Sequence, residues 1–201
     1  SRLCREHGAL FIADEVQTGF CRTGSFFAVD AAGVNPDILT MGKGIAGGFP
    51  FAAFAVSDAV AAGIQKGDHG GTYCGNPLGC AVAEAVLDYL QANKIAARTL
   101  DMGATILQRL AALPTEFPEQ VSALRGRGLL IGIQMRSDAQ VTALTAACLE
   151  KGLIVTPTRN GVLRLIPSLL VSVQEVEEAV GLLRSALLKL QGVNAGEERC
   201  A

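Results

Sequence analysis

The sequence lacks a basic stripe, an acidic tail and any long uninterrupted apolar run. Only 18% of its 201 residues are charged, and the formal net charge is −2. This balance gives no surface suited to nucleic acid. The longest apolar stretches are interrupted well before the roughly 20 residues that a membrane span needs. We therefore expect neither nucleic acid nor a membrane as a partner, and a small-molecule site is favoured.

Paired cysteine motifs are also absent. The six cysteines form no CxxC pair: Cys4, Cys21, Cys74, Cys80, Cys148 and Cys200. The chain is too long to require a disulfide framework, and we expect no secretory leader. We expect free thiols in a cytoplasmic protein. Because residues 1–7 resemble the end of a helix, we also expect an amino-terminal portion to precede Ser1.

The first half of the chain shows the pattern of an α/β domain. Half of all residues are apolar, which is enough for a buried core. Short apolar runs at 9–16, 36–41 and 50–56 end near polar residues, as buried parallel strands do. A glycine-dense loop at 67–75 precedes Pro77, a good first-turn residue for a helix. We predict part of a large parallel-sheet domain over residues 1–100.

The second half predicts a smaller α+β domain over residues 101–192. The predicted elements are an isolated strand, a helix, two short strands and a closing helix: 129–135, 139–151, 153–156, 162–166 and 172–190. Ser172 and Glu175 have the spacing of a capping box, which fixes where the closing helix begins. Residues 193–201 are polar, and we expect a flexible tail there.

Asp14 and Lys43 are the first candidates for chemistry. Each follows a predicted strand, and ligands of open α/β sheets bind beyond the carboxyl ends of the strands. A carboxylate there can keep a pyridine nitrogen protonated, and a lysine amine can form a Schiff base with an aldehyde. Taken alone, however, a strand-end Asp is more often a helix cap, and an isolated Lys is usually solvated.

Four ordered segments surround the candidate residues. They read ADEVQTGFCRTG at 13–24, PDILTMGKGIAGGFP at 36–50, HGGTYCGNP at 69–77 and VLRLIP at 162–167. Together they resemble the signatures of class III aminotransferases. The resemblance implies fold type I of the pyridoxal-phosphate-dependent transferases, with pyridoxal 5'-phosphate as the cofactor and no metal.

The resemblance implies a cofactor role for several residues of the first half. Asp14 would pair with the ring nitrogen, Val16 would pack on the ring, and Gln17 would donate a hydrogen bond to the phenolic oxygen. Lys43 would hold the cofactor as a Schiff base and later carry the substrate proton. Thr72 would reach the cofactor phosphate of the neighbouring subunit, which implies a homodimer with shared active sites.

Arg164 would bind the α-carboxylate of the substrate through two parallel hydrogen bonds, on the same resemblance. Four positions depart from the family pattern. Gly71 stands where many relatives have Ser or Thr, Cys21 and Cys74 replace common glycines, and Ser168 follows Pro167 where a second proline is frequent.

The segments GDHG at 67–70 and RGRGLLIGI at 125–133 most resemble those of acetylornithine aminotransferases. This resemblance implies an enzyme of arginine biosynthesis that moves the terminal amino group of N-acetylornithine to 2-oxoglutarate by a ping-pong mechanism. Ornithine and 4-aminobutyrate are alternative amino donors. An aminomutase, which needs no 2-oxoglutarate, and an inactive fragment that only dimerises are the other hypotheses.

Overall fold

The computed structural model of the chain describes residues 1–197, and side chains through residue 191. It divides into two compact units, Ser1–Arg98 and the residues from Thr99 onward. Each unit is built around its own sheet. None of the described helices has the length and apolarity required to cross a bilayer.

The first unit has a three-stranded sheet flanked by helices. Its elements are α1 Arg2–Glu6, β1 Ile12–Asp14, α2 Ala28–Ala31, β2 Ile38–Met41, a 3-10 turn Lys43–Ala46, β3 Ala53–Val56, α3 Asp58–Ala61 and α4 Pro77–Ala92. The strand order is β1-β2-β3. Asn76 caps α4 by accepting a 2.7 Å hydrogen bond from the Gly79 N–H, and Pro77 begins the helix as predicted.

The predicted all-parallel sheet is wrong for one of its three strands. β1 and β2 run parallel, but β2 and β3 pair antiparallel. A parallel return requires a crossover of a dozen or more residues, usually through a helix. Only residues 42–52, which contain one 3-10 turn, connect β2 to β3. The chain therefore returns alongside β2 in the opposite direction.

The second unit packs helices on one face of a four-stranded antiparallel sheet. Its elements are α5 Ile95–Leu110, α6 Leu113–Glu116, β4 Val121–Arg127, β5 Leu130–Met135, α7 Asp138–Glu150, β6 Thr156–Thr158, β7 Val162–Leu165 and α8 Val173–Glu197. The strand order is β4-β5-β7-β6. Alternate residues of β5 point into the core, where Ile131 and Ile133 are almost completely buried.

The strand predicted at 129–135 is not isolated, because it pairs with β4 along its whole length. β4 carries exposed residues along most of its length and ends in Arg-Gly-Arg, a pattern that does not alternate in the way a half-buried strand does. β4 is the edge strand of its sheet. Pairing with β5 therefore determines its conformation more than its own apolar pattern does.

The start of α8 follows the predicted capping box. The Ser172 N–H donates to Glu175 Oε2 at 2.7 Å, and the Glu175 N–H donates to Ser172 Oγ at 3.2 Å. The Ser172 N–H, and after it the Ser172 hydroxyl, donate to the Glu175 carboxylate and lower the pKa of that carboxyl. The helix continues to Glu197, into part of the segment 193–201 for which the sequence indicates a flexible tail. Residues 198–201 lie outside the described residues.

Two helical glycines of the second unit differ in what surrounds them. A Cβ on Gly103 of α5 would stand 2.2 Å from the carbonyl oxygen of Gly128, in the turn between β4 and β5. A Cβ on Gly181 of α8 would meet no atom within 4 Å. The helix and the turn can therefore approach closely only because Gly103 has no side chain.

We expect Gly103→Ala to destabilise the complete protein by at least about 1–3 kcal/mol, because backbone must move to admit the methyl group. Gly181→Ala is the matched control, and we expect it to stabilise by about 0.5–1 kcal/mol because alanine favours helix over glycine. Urea and thermal unfolding measure both. Equal effects of the two substitutions would contradict the close contact.

Candidate active site

Asp14 ends β1, and its carboxylate is held from one side. Asp14 pairs in register with Thr40 of β2, whose Oγ1 donates a 3.0 Å hydrogen bond to Asp14 Oδ1. The Val16 N–H donates to the same oxygen at 3.1 Å. Among the described residues no hydrogen bond reaches Oδ2. The carboxylate is therefore oriented by two donors and keeps one oxygen available for a ligand.

Lys43 lies just after the adjacent end of β2, on a turn with unusual backbone geometry. Its φ is +48°, in the left-handed region that residues with a side chain seldom adopt. Lys94 has a similar φ of +49° at the junction of two helices. A left-handed backbone alone therefore does not mark a site. The distinguishing feature of Lys43 is what its two neighbouring glycines contact.

The turn that carries Lys43 packs against the segment that follows Asp14. A Cβ on Gly42 would stand 3.3 Å from Val16 Cγ1, and a Cβ on Gly44 would stand 3.1 Å from Phe20 Cβ. Both distances are tighter than ordinary van der Waals contact. Glycine on each side of Lys43 thus lets the lysine turn lie directly on the strand-end segment of β1.

Glu15 and a cluster of phenylalanines hold the segment after β1 in place. Glu15 is 2% exposed, and its carboxylate accepts hydrogen bonds from the Val29 N–H at 2.8 Å and from the Thr18 hydroxyl. The ring of Phe20 makes edge contacts with Phe26 and Phe27 at centroid distances of 5.7 and 5.5 Å. The sequence pattern left Glu15 without a specific role, although an acid at the end of a buried strand already indicated a need for partners.

Thr72 and Val16 line one open cleft of about 880 Å³. Thr40, which positions Asp14, lines it as well, and the His69 ring at its wall contacts the Phe54 ring edge-on at 4.8 Å. Thr72 is exposed in the loop before α4. The Thr72 hydroxyl of the glycine-dense loop and the Val16 side chain, which packs on the Lys43 turn, therefore line the same cleft.

Gln17 and Arg164 are placed differently. Gln17 is half-buried beside Val16, and within the described part of the chain its side chain makes no hydrogen bond. Arg164 belongs to β7 of the second unit and pairs in register with Gly132 and Thr156. Its Nε is buried and has no hydrogen-bond acceptor among the described residues.

The phosphate-loop departures have a local structural explanation. A Cβ on Gly71 would stand 3.2 Å from Cys74 Sγ, and the Cys74 N–H donates to the Gly71 carbonyl at 3.1 Å. The sulfur thus occupies space that a side chain at position 71 would need. Cys21, which also replaces a glycine, is buried with a φ of +69°. No group of three or more potential metal ligands occurs within residues 1–197.

Comparison with known proteins agrees with this arrangement. The sequence pattern of the family described as Aminotransferase class-III matches residues 1–187, so the chain belongs to the class III aminotransferases. It is 40% identical over 193 residues to acetylornithine aminotransferase of Agrobacterium fabrum, covering 96% of this chain and 48% of the relative. It is 39% identical over 189 residues to mitochondrial ornithine aminotransferase of Drosophila melanogaster, covering 94% and 43%. The chain spans about half the length of the curated relatives it matches.

Solved structures confirm the predicted fold. Acetylornithine aminotransferase from Elizabethkingia anophelis superimposes with a TM-score of 0.86 at 37% identity, over 94% of this chain and 48% of that one. Ornithine aminotransferase from Toxoplasma gondii gives a TM-score of 0.87 at 35% identity, over 100% and 47%. In that crystal structure pyridoxal phosphate partly occupies the active site. The expected membership of class III is confirmed.

Each unit contains one deeply buried free thiol. Burial raises the pKa of the Cys148 thiol to about 11, although the charge of Lys151 acts in the opposite direction. Burial also raises the pKa of the Cys21 thiol, opposed by a hydrogen bond with the Ala96 backbone. A raised pKa leaves little thiolate, which is the reactive form.

We expect Cys21 and Cys148 to resist alkylation at pH 8 in the folded complete protein and to react once their units unfold. Pulse labelling at increasing urea, with peptide mass mapping, would report the unfolding of each unit separately. Cys80 is exposed and should react at every urea concentration, so its labelling shows that the reagent is active throughout. Rapid labelling of Cys21 or Cys148 without urea would contradict the burial described above.

Proposed function

We propose that the complete protein containing this chain is a pyridoxal-phosphate-dependent aminotransferase. It moves the terminal amino group of N-acetylornithine, or of a similar ω-amino acid, to 2-oxoglutarate. The observation that carries the proposal is the packing of the Lys43 turn on Val16, beside an Asp14 carboxylate with one available oxygen. Amine and carboxylate are the two groups that a pyridoxal cofactor requires from its protein.

The side chains present fit pyridoxal 5'-phosphate. An oriented carboxylate suits a basic ring nitrogen, an amine suits an aldehyde, and the Thr72 hydroxyl in a glycine-dense loop suits a phosphate. Asp14, Val16, Gln17 and Lys43 of one subunit would hold the cofactor, together with Thr72 of the partner subunit. When bound, the cofactor supplies an electron sink that allows a proton to leave the carbon bearing the substrate amino group.

Asp14 and Lys43 have complementary tasks in this chemistry. Thr40 and the Val16 N–H fix Oδ1, so Oδ2 can accept the ring N–H without reorienting. A negative charge held there keeps the ring nitrogen protonated. The Lys43 amine would accept the substrate proton and later give it up, as a general base and then a general acid. Gln17 would donate a hydrogen bond to the phenolic oxygen of the cofactor, and Arg164 would bind the substrate carboxylate.

The relatives support two candidate amino donors for this proposal. Both acetylornithine and ornithine aminotransferases match this chain at similar identity. The segment RGRGLLIGI at 125–133 supports N-acetylornithine as the donor. Ornithine is the second candidate, and steady-state assays of the complete protein with each donor would distinguish the two.

Borohydride reduction of the complete protein, followed by peptide mass mapping, tests the central assignment. We expect a pyridoxyl adduct on Lys43, because the turn that carries this lysine packs against the segment that follows Asp14. Lys43→Ala should abolish the adduct and the activity. Lys94→Ala is the matched control, since Lys94 shares the left-handed backbone but lies at a helix junction. This variant should keep both the Lys43 adduct and the activity.

An adduct on a different lysine, or on none, would refute this assignment. A pyridoxyl-Lys43 adduct together with amino-group movement that needs no 2-oxoglutarate would favour an aminomutase instead.

The proposal includes a homodimer in which Thr72 completes the phosphate site of the partner. In a mixed dimer of Lys43→Ala and Thr72→Ala chains, one site carries both lesions and the other carries neither. We therefore expect activity to return on mixing, up to about half of the wild-type rate per mixed dimer if the sites act independently. Steady-state assays after subunit exchange measure this recovery.

If Thr72 served its own subunit, every site in the mixture would keep one lesion. Verified mixed dimers that gain no activity over the parent variants would therefore rule out the shared site.

A further inference from the structure

On the face of the second sheet opposite its core, one row of paired residues has a glycine between two arginines. Gly132 of β5 pairs in register with Arg125 of β4 on one side and with Arg164 of β7 on the other. Residues directly opposite each other in antiparallel strands point to the same face. Ile131 and Ile133, the neighbours of Gly132, point into the core. The three residues of the row therefore share the face opposite the core.

The side chain of Arg125 lies over Gly132. A Cβ on Gly132 would stand 3.6 Å from Arg125 Cγ and 3.8 Å from Arg125 Nε. Because β5 lies between β4 and β7, a side chain that crosses Gly132 extends toward Arg164. The two arginines line one cavity of about 320 Å³, with Val162 in its wall. A Cβ on Gly132 would also stand 3.2 Å from Val162 Cγ1, so the missing side chain makes room for both Val162 and Arg125.

The strands of this sheet supply no negative charge to the two guanidinium groups. The strands β4, β5, β6 and β7 contain no Asp or Glu. Neither Arg125 nor Arg164 is among the ion pairs found in the described part of the chain. The buried Nε–H of Arg164 has no acceptor there. The two positively charged guanidinium groups line one cavity and repel each other. An anion bound above Gly132 would reduce this repulsion and would give the Arg164 Nε–H an acceptor.

We propose that Arg125 and Arg164 together bind one carboxylate group above Gly132, so that Arg125 is a second specificity-determining residue for the acid substrate. A carboxylate matches the planar fork of a guanidinium, and its two oxygens can each accept from a different arginine. The identity of the acid, 2-oxoglutarate, rests on the proposed function. The presence of the carboxylate site rests on the geometry of this sheet.

Arg127 offers a matched control within the same strand. It lines the same cavity and carries the same charge, but it pairs in register with Leu130 and not with Gly132. A general effect of positive charge would be shared by Arg125 and Arg127. A specific contact with the carboxylate would belong to Arg125 alone.

The test uses the complete protein and two measurements. Calorimetry gives the affinity for glutarate, a dicarboxylate that has no reactive carbonyl, and steady-state assays give kcat and KM for 2-oxoglutarate. We expect Arg125→Gln to weaken glutarate binding and raise KM by about ten- to a hundredfold, with a much smaller change in kcat. Arg125→Lys should restore part of the loss, and Arg127→Gln should change neither value by more than about twofold.

Thermal denaturation of each variant separates lost binding from lost folding. Should Arg125→Gln fail to fold, Gly132→Ala keeps both guanidinium groups and adds one methyl at the position between them, so it too should weaken glutarate binding. Unchanged affinity in the folded variants would overturn the proposal, as would an equal loss in Arg127→Gln or a wild-type protein that does not bind glutarate. Because the calorimetry needs no turnover, a wild-type protein that binds glutarate but transfers no amino group would count against the proposed function only.

Discussion

The close approach between the Lys43 turn and the segment after β1 is the constraint on which the candidate site depends. It needs a glycine on each side of the lysine, because Val16 and Phe20 occupy the space where side chains would stand. It also needs Phe20 to stay in place, which its contacts with two other phenylalanines secure. A bulky residue at either glycine would push the lysine turn away from the segment after β1 without altering Lys43 or Asp14.

The second unit uses glycine for the same purpose at two places. Gly103 lets a helix approach the turn at Gly128, and Gly132, which lies between two arginines, makes room for the side chains of Arg125 and Val162. Backbone atoms can come close only where no Cβ intervenes, so each contact fixes the chain more narrowly than apolar packing would. The apolar core behind the sheet supplies stability, whereas these glycines determine which side chains can meet.

Local sequence patterns predicted the elements whose causes are local. Pro77 and the Ser172–Glu175 pair mark helix starts because capping depends on neighbours within one turn. The antiparallel course of β3 and the pairing of β4 could not be read in this way, because they depend on the connection and on the partner strand. The motif around Lys43 indicated which residues matter for the cofactor. The contacts of Gly42 and Gly44 required the folded chain, because Val16 and Phe20 are distant in sequence.

The two units differ in the chemistry that they can provide. The first unit offers a carboxylate, an amine and a hydroxyl, which suit a cofactor ring, its aldehyde and its phosphate. The second sheet offers cations without any acidic residue in its strands, which suits the carboxylate of an acid. Groups that bind a substrate carboxylate equally before and during the chemical step change affinity more than turnover. Residues of the first unit should therefore govern the reaction, and those of the second sheet should govern which acid takes part in it.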